Sequence, residues 1–169
     1  MTPANRPLAE PFRYNRWANL RLIDACADLT PEQLATRAPG TSGSVAELLV
    51  HVVGGQQTFV LRTRGRQHEG ELNRQSPWPG IATLREIALA TSDELIAIAC
   101  GLVDDVEVDL PFQGKSYRFP LSFFLTHAIE HGVEHRTEIR VALAHLGVDA
   151  PDLDGWAYAQ DAGYGREVG

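Results

Sequence analysis

Cysteine is scarce in this chain, and Cys26 and Cys100 are its only two, without Cys-x-x-Cys spacing. That excludes a disulfide-stapled scaffold and a thiolate metal cluster, and both residues are expected as buried thiols within helices. Basic charge is also short. Fifteen Lys and Arg against 22 Asp and Glu leave a net charge of −7. Neither a nucleic acid nor an anionic membrane is an expected partner, since each would need a basic face. No apolar run approaches the ~18 residues of a membrane span. The opening MTPANRPLAE lacks the apolar centre of a signal peptide. Repeats and low-complexity tracts are absent too. These absences lead us to expect a soluble cytoplasmic protein. Its composition is ordinary, 44% hydrophobic and 22% charged over 169 residues, which suits one domain spanning residues 1–169.

What is present is concentrated in LSFFLTHAIEHGVEHRTEIRVALAHLG, residues 121–147, which holds four of the six histidines. At about 100° per residue, Leu121, Phe124, Leu125, Ala128, Ile139, Ala142, Leu143 and Leu146 share one face, the signature of an amphipathic helix. Val133, Arg136 and Arg140 point away from it. His131 and His135 lie on or beside the face, four residues and therefore one turn apart. Two imidazoles so placed can close on one metal ion if another helix contributes a third ligand. His127 sits one turn earlier, near the edge of the stripe.

Elsewhere the pattern predicts three more long helices. Residues 1–10 read as a loosely held arm, and a first helix is expected over residues 12–29. Thr30-Pro31 then starts a short turn through Leu34. Ser44-Val45-Ala46-Glu47 spells a capping box, so a second helix is expected from Val45 to Arg64. His51 lies at the border of its apolar face. A histidine there is ordinarily a hydrogen-bonded border residue, but opposite His131 and His135 it becomes the missing third ligand. Residues 65–80 read as a loop in which His68 is solvated. A third helix is expected over residues 81–102. Val106, Val108 and Leu110 then alternate with acidic residues before Gln113-Gly114-Lys115, the pattern of a hairpin, which must pack on the helices to persist. Trp156 and Tyr158, in the tail, are expected to dock on the body. The fold class is therefore all-α, a four-helix bundle with a short β-hairpin between helices 3 and 4.

Two sharper motifs fit poorly. His131-Gly132-Val133-Glu134-His135 spells the H-x-x-E-H of one peptidase class and would make Glu134 a general base. A further Glu ligand from far downstream is then needed, and only Glu138 and Glu167 follow His135. A di-iron bundle needs Glu three residues before a ligand His; none precedes His51, His131 or His135 so. Glu134 remains a weak candidate for proton transfer. Arg136 is expected to project away from the site and pair structurally.

At these residues the chain resembles the DinB superfamily, helical bundles related to bacillithiol- and mycothiol-dependent enzymes. Tyr14-Asn15-Arg16-Trp17-Ala18-Asn19 is similar to the family's first-helix motif, and Leu48 to His51 carries its second-helix histidine. Residues 126–136, THAIEHGVEHR, resemble its fourth-helix motif, and Asp152-Leu153-Asp154-Gly155-Trp156 a tail found in one branch. Thr137-Glu138 departs from the Gly-Gln that many members carry after the Arg. The resemblance implies an up-down-down-up bundle, one divalent metal ion (zinc, nickel or iron) on His51, His131 and His135, and a homodimer. It further implies a small-molecule substrate and, in some relatives, a low-molecular-weight thiol cofactor. Tyr14, Trp17 and His127 are the candidate pocket residues, although an aromatic at the position of Trp17 is ordinarily packed in the core. The functional expectation is a metal-dependent thiol S-transferase or hydrolase; the alternatives are a non-catalytic metal-containing stress or binding protein, and a structural bundle without metal.

Overall fold

Four long helices pack against one another around the core of the structure, a computed structural model that describes residues 6–168. They are α1 (Arg6–Ala25), α3 (Val45–Arg62), α4 (Ile81–Gly101) and α5 (Leu121–His145), joined by a short α2 (Pro31–Leu34) and followed by α6 (Gly155–Asp161). The most extensive helix contacts are α1 with α4 and α3 with α5, and α3 also meets α4 while α1 meets α5. A two-stranded antiparallel sheet, β1 (Glu107–Phe112) and β2 (Lys115–Pro120), connects α4 to α5. Among the described residues no helix is long and apolar enough to cross a membrane.

Local chemistry explains where these elements start and stop. Ser44 Oγ accepts from the Glu47 amide at 3.3 Å while the Glu47 carboxylate accepts from the Ser44 amide at 2.7 Å, closing the expected capping box. Thr30 and Gln33 do the same for α2. The hairpin turns through Gln113 and Gly114, both with positive φ (49° and 74°). That is the two-residue geometry whose twist matches the strands. Val108 and Phe119 tie the hairpin to the body, Val108 against an apolar cluster and Phe119 through rings on Phe123 and Phe124.

Three expectations are corrected. The arm expected over residues 1–10 is helical from Arg6; residues 1–5 lie outside the described ones. Ala9 and Phe12 are buried with Phe59, Leu95 and Leu125, and this burial draws the start of the chain into α1. Pro7 sits in its first turn, where a missing amide donor costs least, whereas Pro11 lies inside the helix and removes one intrahelical bond. Trp156 does not dock: it is 81% exposed. Tyr158 does, its ring against Tyr14 and Trp17 and its hydroxyl donating to Glu10 at 2.6 Å. The third concerns Arg136, expected to point away from the apolar face and pair structurally: it does pair structurally, but buried inside the protein. It is 3% exposed and donates to Asn15 Oδ1 at 2.5 Å and Asn19 Oδ1 at 2.7 Å. Helix α5 packs on both α3 and α1, so more than one of its faces is buried.

From Arg136 a polar thread runs through the core. Asn19 donates to Gln56 Oε1 at 2.7 Å, and Gln56 Nε2 reaches the Ala88 carbonyl and the Thr91 and Ser92 hydroxyls of α4. Four helices are thereby registered by one polar network, although Arg136 Nη2 is buried within it without a hydrogen-bond partner. Cys26 is buried and Cys100 partly so, and both are free thiols. Burial pushes the Cys26 thiol up to about 12, which keeps it unreactive.

Candidate metal centre

His51 stands two turns into α3, its register set by the capping box behind it and by the buried Leu48 and Val52 beside it. His131 and His135 stand on successive turns of α5, the helix packed against α3. One ring nitrogen from each of the three lies within 4.8 Å of the others. His51 Nε2 and His131 Nε2 are 3.1 Å apart. Two imidazoles sharing a tetrahedral cation at ~2.0–2.1 Å place their nitrogens roughly 3.3 Å apart, so this spacing suits a shared ion.

Gly55 makes the approach possible. A Cβ there would come within 2.4 Å of His131 Cε1, so any other residue would displace the ring. Burial, reinforced by Arg74 and the neighbouring histidine His135, pushes the His51 imidazole down to about 4. Burial and the neighbouring histidines push His131 down to about 3. Both rings are therefore neutral at pH 7, the state in which imidazole ligates metal.

The third ring is oriented from outside. His135 Nδ1 lies 2.5 Å from Glu138 Oε2, which leaves its Nε2 for a cation, the carboxylate–histidine arrangement common at metal sites. Glu138 is itself held by Ser42, whose amide donates at 2.7 Å and hydroxyl at 3.0 Å. Burial works to raise the Glu138 pKa, but the bonds from His135 and Ser42 outweigh it and keep the carboxylate ionised. Neutral imidazoles with an anchored outer carboxylate fit a divalent cation on chemical grounds.

Beside the cluster opens a cavity of about 290 Å³, lined by His51, Gly55, Phe59, Leu72, His127 and His131 among others. A larger one, about 440 Å³, lies between α1 and α5 around Leu8, Phe12, Leu125 and Ile129 and contains none of the three imidazoles. Size alone would therefore point away from the polar chemistry.

The remaining candidates disperse. His127 lines the histidine cavity, edge-on to Phe59 with ring centres 4.8 Å apart, but stands outside the ligand cluster. Glu134 is exposed, because one residue before His135 is a rotation of about 100° away from its ring. Tyr14 and Trp17 pack against Tyr158 of the tail and do not line the histidine cavity. Tyr14 donates to the Leu153 carbonyl at 2.7 Å and Trp17 to Asp161 at 2.9 Å. The sequence reading passed over Gly55 and weighed Glu138 only as a distant ligand, not as the partner of His135. Their signals were a Gly-Gly pair inside an amphipathic helix and a carboxylate one turn after a ligand histidine.

With this geometry in place, comparison with known proteins is informative. The model of the DinB family matches residues 1–167. A crystal structure of a DinB-like protein from Bacillus cereus ATCC 10987 is 23% identical. The match covers 90% of this chain and 99% of that one at a TM-score of 0.65, and it speaks to the fold alone. No curated protein matches the chain.

Proposed function

The chain belongs to the DinB family, and from that premise we propose that His51, His131 and His135 hold one divalent cation in an enzyme that transfers a low-molecular-weight thiol to a small electrophile. The observation that carries this reading is the convergence of three imidazole nitrogens within 4.8 Å at the wall of a cavity. A cation bound there supplies Lewis acidity and lowers the pKa of a coordinated thiol or water. Zinc, nickel and iron all accept imidazole.

The protein's own groups define the rest. Glu138 fixes the His135 ring, Gly55 leaves space for that of His131, and Phe59 and Leu72 give the cavity an apolar patch among its polar lining. No Asp or Glu lines that cavity among the described residues. Hydrolysis would want a general base beside the attacking water, and His127 and His68 are the other imidazoles lining the cavity that could hold its proton. A thiol ionises far more readily than water, so transfer asks less of these residues than hydrolysis. The same shortage of bases suits the second reading, a non-catalytic metal-containing stress or ligand-binding protein. The proposal also includes a single-domain chain in an up-down-down-up bundle, a homodimer and a cytoplasmic setting.

Elemental analysis tests the first step. Wild type is expected to carry about one equivalent of metal per chain, and His51→Ala and His135→Ala to lose it. Turnover of an electrophile with a thiol cosubstrate should then vanish in His131→Ala. Metal-free wild type after reconstitution, or equal turnover by His131→Ala, overturns the reading.

A further inference from the structure

Eight arginines in this chain sit in ion pairs with carboxylates: Arg13, Arg16, Arg21, Arg37, Arg64, Arg66, Arg85 and Arg118. Arg74 is engaged by the Ser42 carbonyl and hydroxyl, and Arg136 by two asparagines. Arg62 is different. It is partly buried, and among the described residues its contact is the face of Phe59, 5.4 Å from the guanidinium carbon. The more deeply buried Arg136 also lacks a carboxylate but has two asparagine oxygens as acceptors, whereas the Arg62 guanidinium meets no acceptor among the described residues.

Its position says what an acceptor for it would be part of. Arg62 lines the histidine cavity and also a second cavity of about 190 Å³, walled by Leu110, Pro111 and Phe112 of the hairpin. The two share Thr58, Arg62 and His68, so they form one groove. Imidazoles stand at one end, an apolar wall at the other and a single guanidinium between them. No carboxylate of the protein lines either part among the described residues.

We propose that Arg62 anchors a carboxylate of the small-molecule substrate, so that the enzyme selects amphipathic monocarboxylates. The substrate's apolar portion lies along Leu110, Pro111 and Phe112, and its reacting end faces the histidines. The planar guanidinium fork matches a carboxylate in two parallel hydrogen bonds. A phosphate dianion would ask for more donors than one guanidinium supplies. This inference rests on the histidine cluster as the reaction centre.

Calorimetric titration of the full chain, metal-free and metal-loaded, with 4-phenylbutyrate and its neutral amide tests it. Wild type should prefer the carboxylate by roughly tenfold or more in both forms. Arg62→Gln should erase the preference while Arg62→Lys keeps part of it, with metal content and melting temperature recorded for each variant. An absent preference in wild type overturns the proposal, and so does a preference that survives in Arg62→Gln. If it appears only with metal and survives in Arg62→Gln, the cation receives the carboxylate instead. An Arg62-dependent preference in a chain that takes up no metal would refute the metal centre and keep the anion site.

Discussion

Two adjacent glycines in α3 should respond in opposite ways to the same methyl group. Neither Gly54 nor Gly55 has a positive φ, so alanine is conformationally acceptable at both. In a helix interior the exchange stabilises by about 0.8–1 kcal/mol from propensity alone. At Gly55 the new Cβ would stand 2.4 Å from His131 Cε1, the end of a side chain that can rotate away. Gly55→Ala should therefore keep its stability within about 1 kcal/mol of wild type while withdrawing one ligand. Its zinc affinity should fall at least about 100-fold, since even outer-shell changes lower affinity 10- to 100-fold. At Gly54 the Cβ would stand 1.9 Å from the Leu72 carbonyl oxygen, and backbone has to move. Gly54→Ala should cost about 1–3 kcal/mol, as overpacking does. Urea unfolding and zinc titration of the two purified variants read both quantities. Wild-type zinc affinity in Gly55→Ala, or equal stability loss in the two, would refute the reasoning.

Other consequences can be checked with similar means. In the metal-free protein His51 and His131 resist protonation down to about 4 and 3, whereas in the unfolded chain they take protons near the ordinary 6.5. Below that pH the unfolded state binds more protons, so stability should fall between pH 6.5 and 5. Urea midpoints should fall less steeply over this range in His51→Ala, and a flat wild-type profile would count against neutral buried rings. Glu138→Gln should weaken zinc binding 10- to 100-fold while Glu134→Gln leaves it unchanged, and the reverse order would reinstate Glu134. Arg136→Ala strips charged donors from two buried amide oxygens and should destabilise by about 3 kcal/mol; a loss below about 1 kcal/mol in urea would show that the asparagines find other partners.

The cluster of three histidines was legible because helical spacing is simple arithmetic. Four residues separate His131 from His135, and the capping box that opens at Ser44 fixed the register of His51. The hairpin was legible for a similar reason, as Gln113-Gly114 interrupts an alternating pattern. Arg136 was not, because an amphipathic wheel assumes one buried face and α5 is buried against two helices. Its polar partners, Asn15 and Asn19, come from α1, and nothing local predicts which helix a neighbour will be. Glu138 was noticed only as a poor distant ligand, although one turn after His135 is where an orienting carboxylate belongs. In the tail, Trp156 and Tyr158 look alike by hydrophobicity. Only the tyrosine hydroxyl finds an acceptor, Glu10, on a helix far away in sequence.

The bond from Ser42 to Glu138 gives the interior a surface readout. Ser42 belongs to the loop before α3, and Arg74, from the loop after it, grips the Ser42 carbonyl and hydroxyl at 3.1 and 2.9 Å. One carboxylate thus fastens two loops and one histidine ring at a single point. Whatever changes the charge on that ring changes how tightly the carboxylate grips the Ser42 amide, and amide hydrogen exchange at Ser42 becomes a gauge of what the histidines hold.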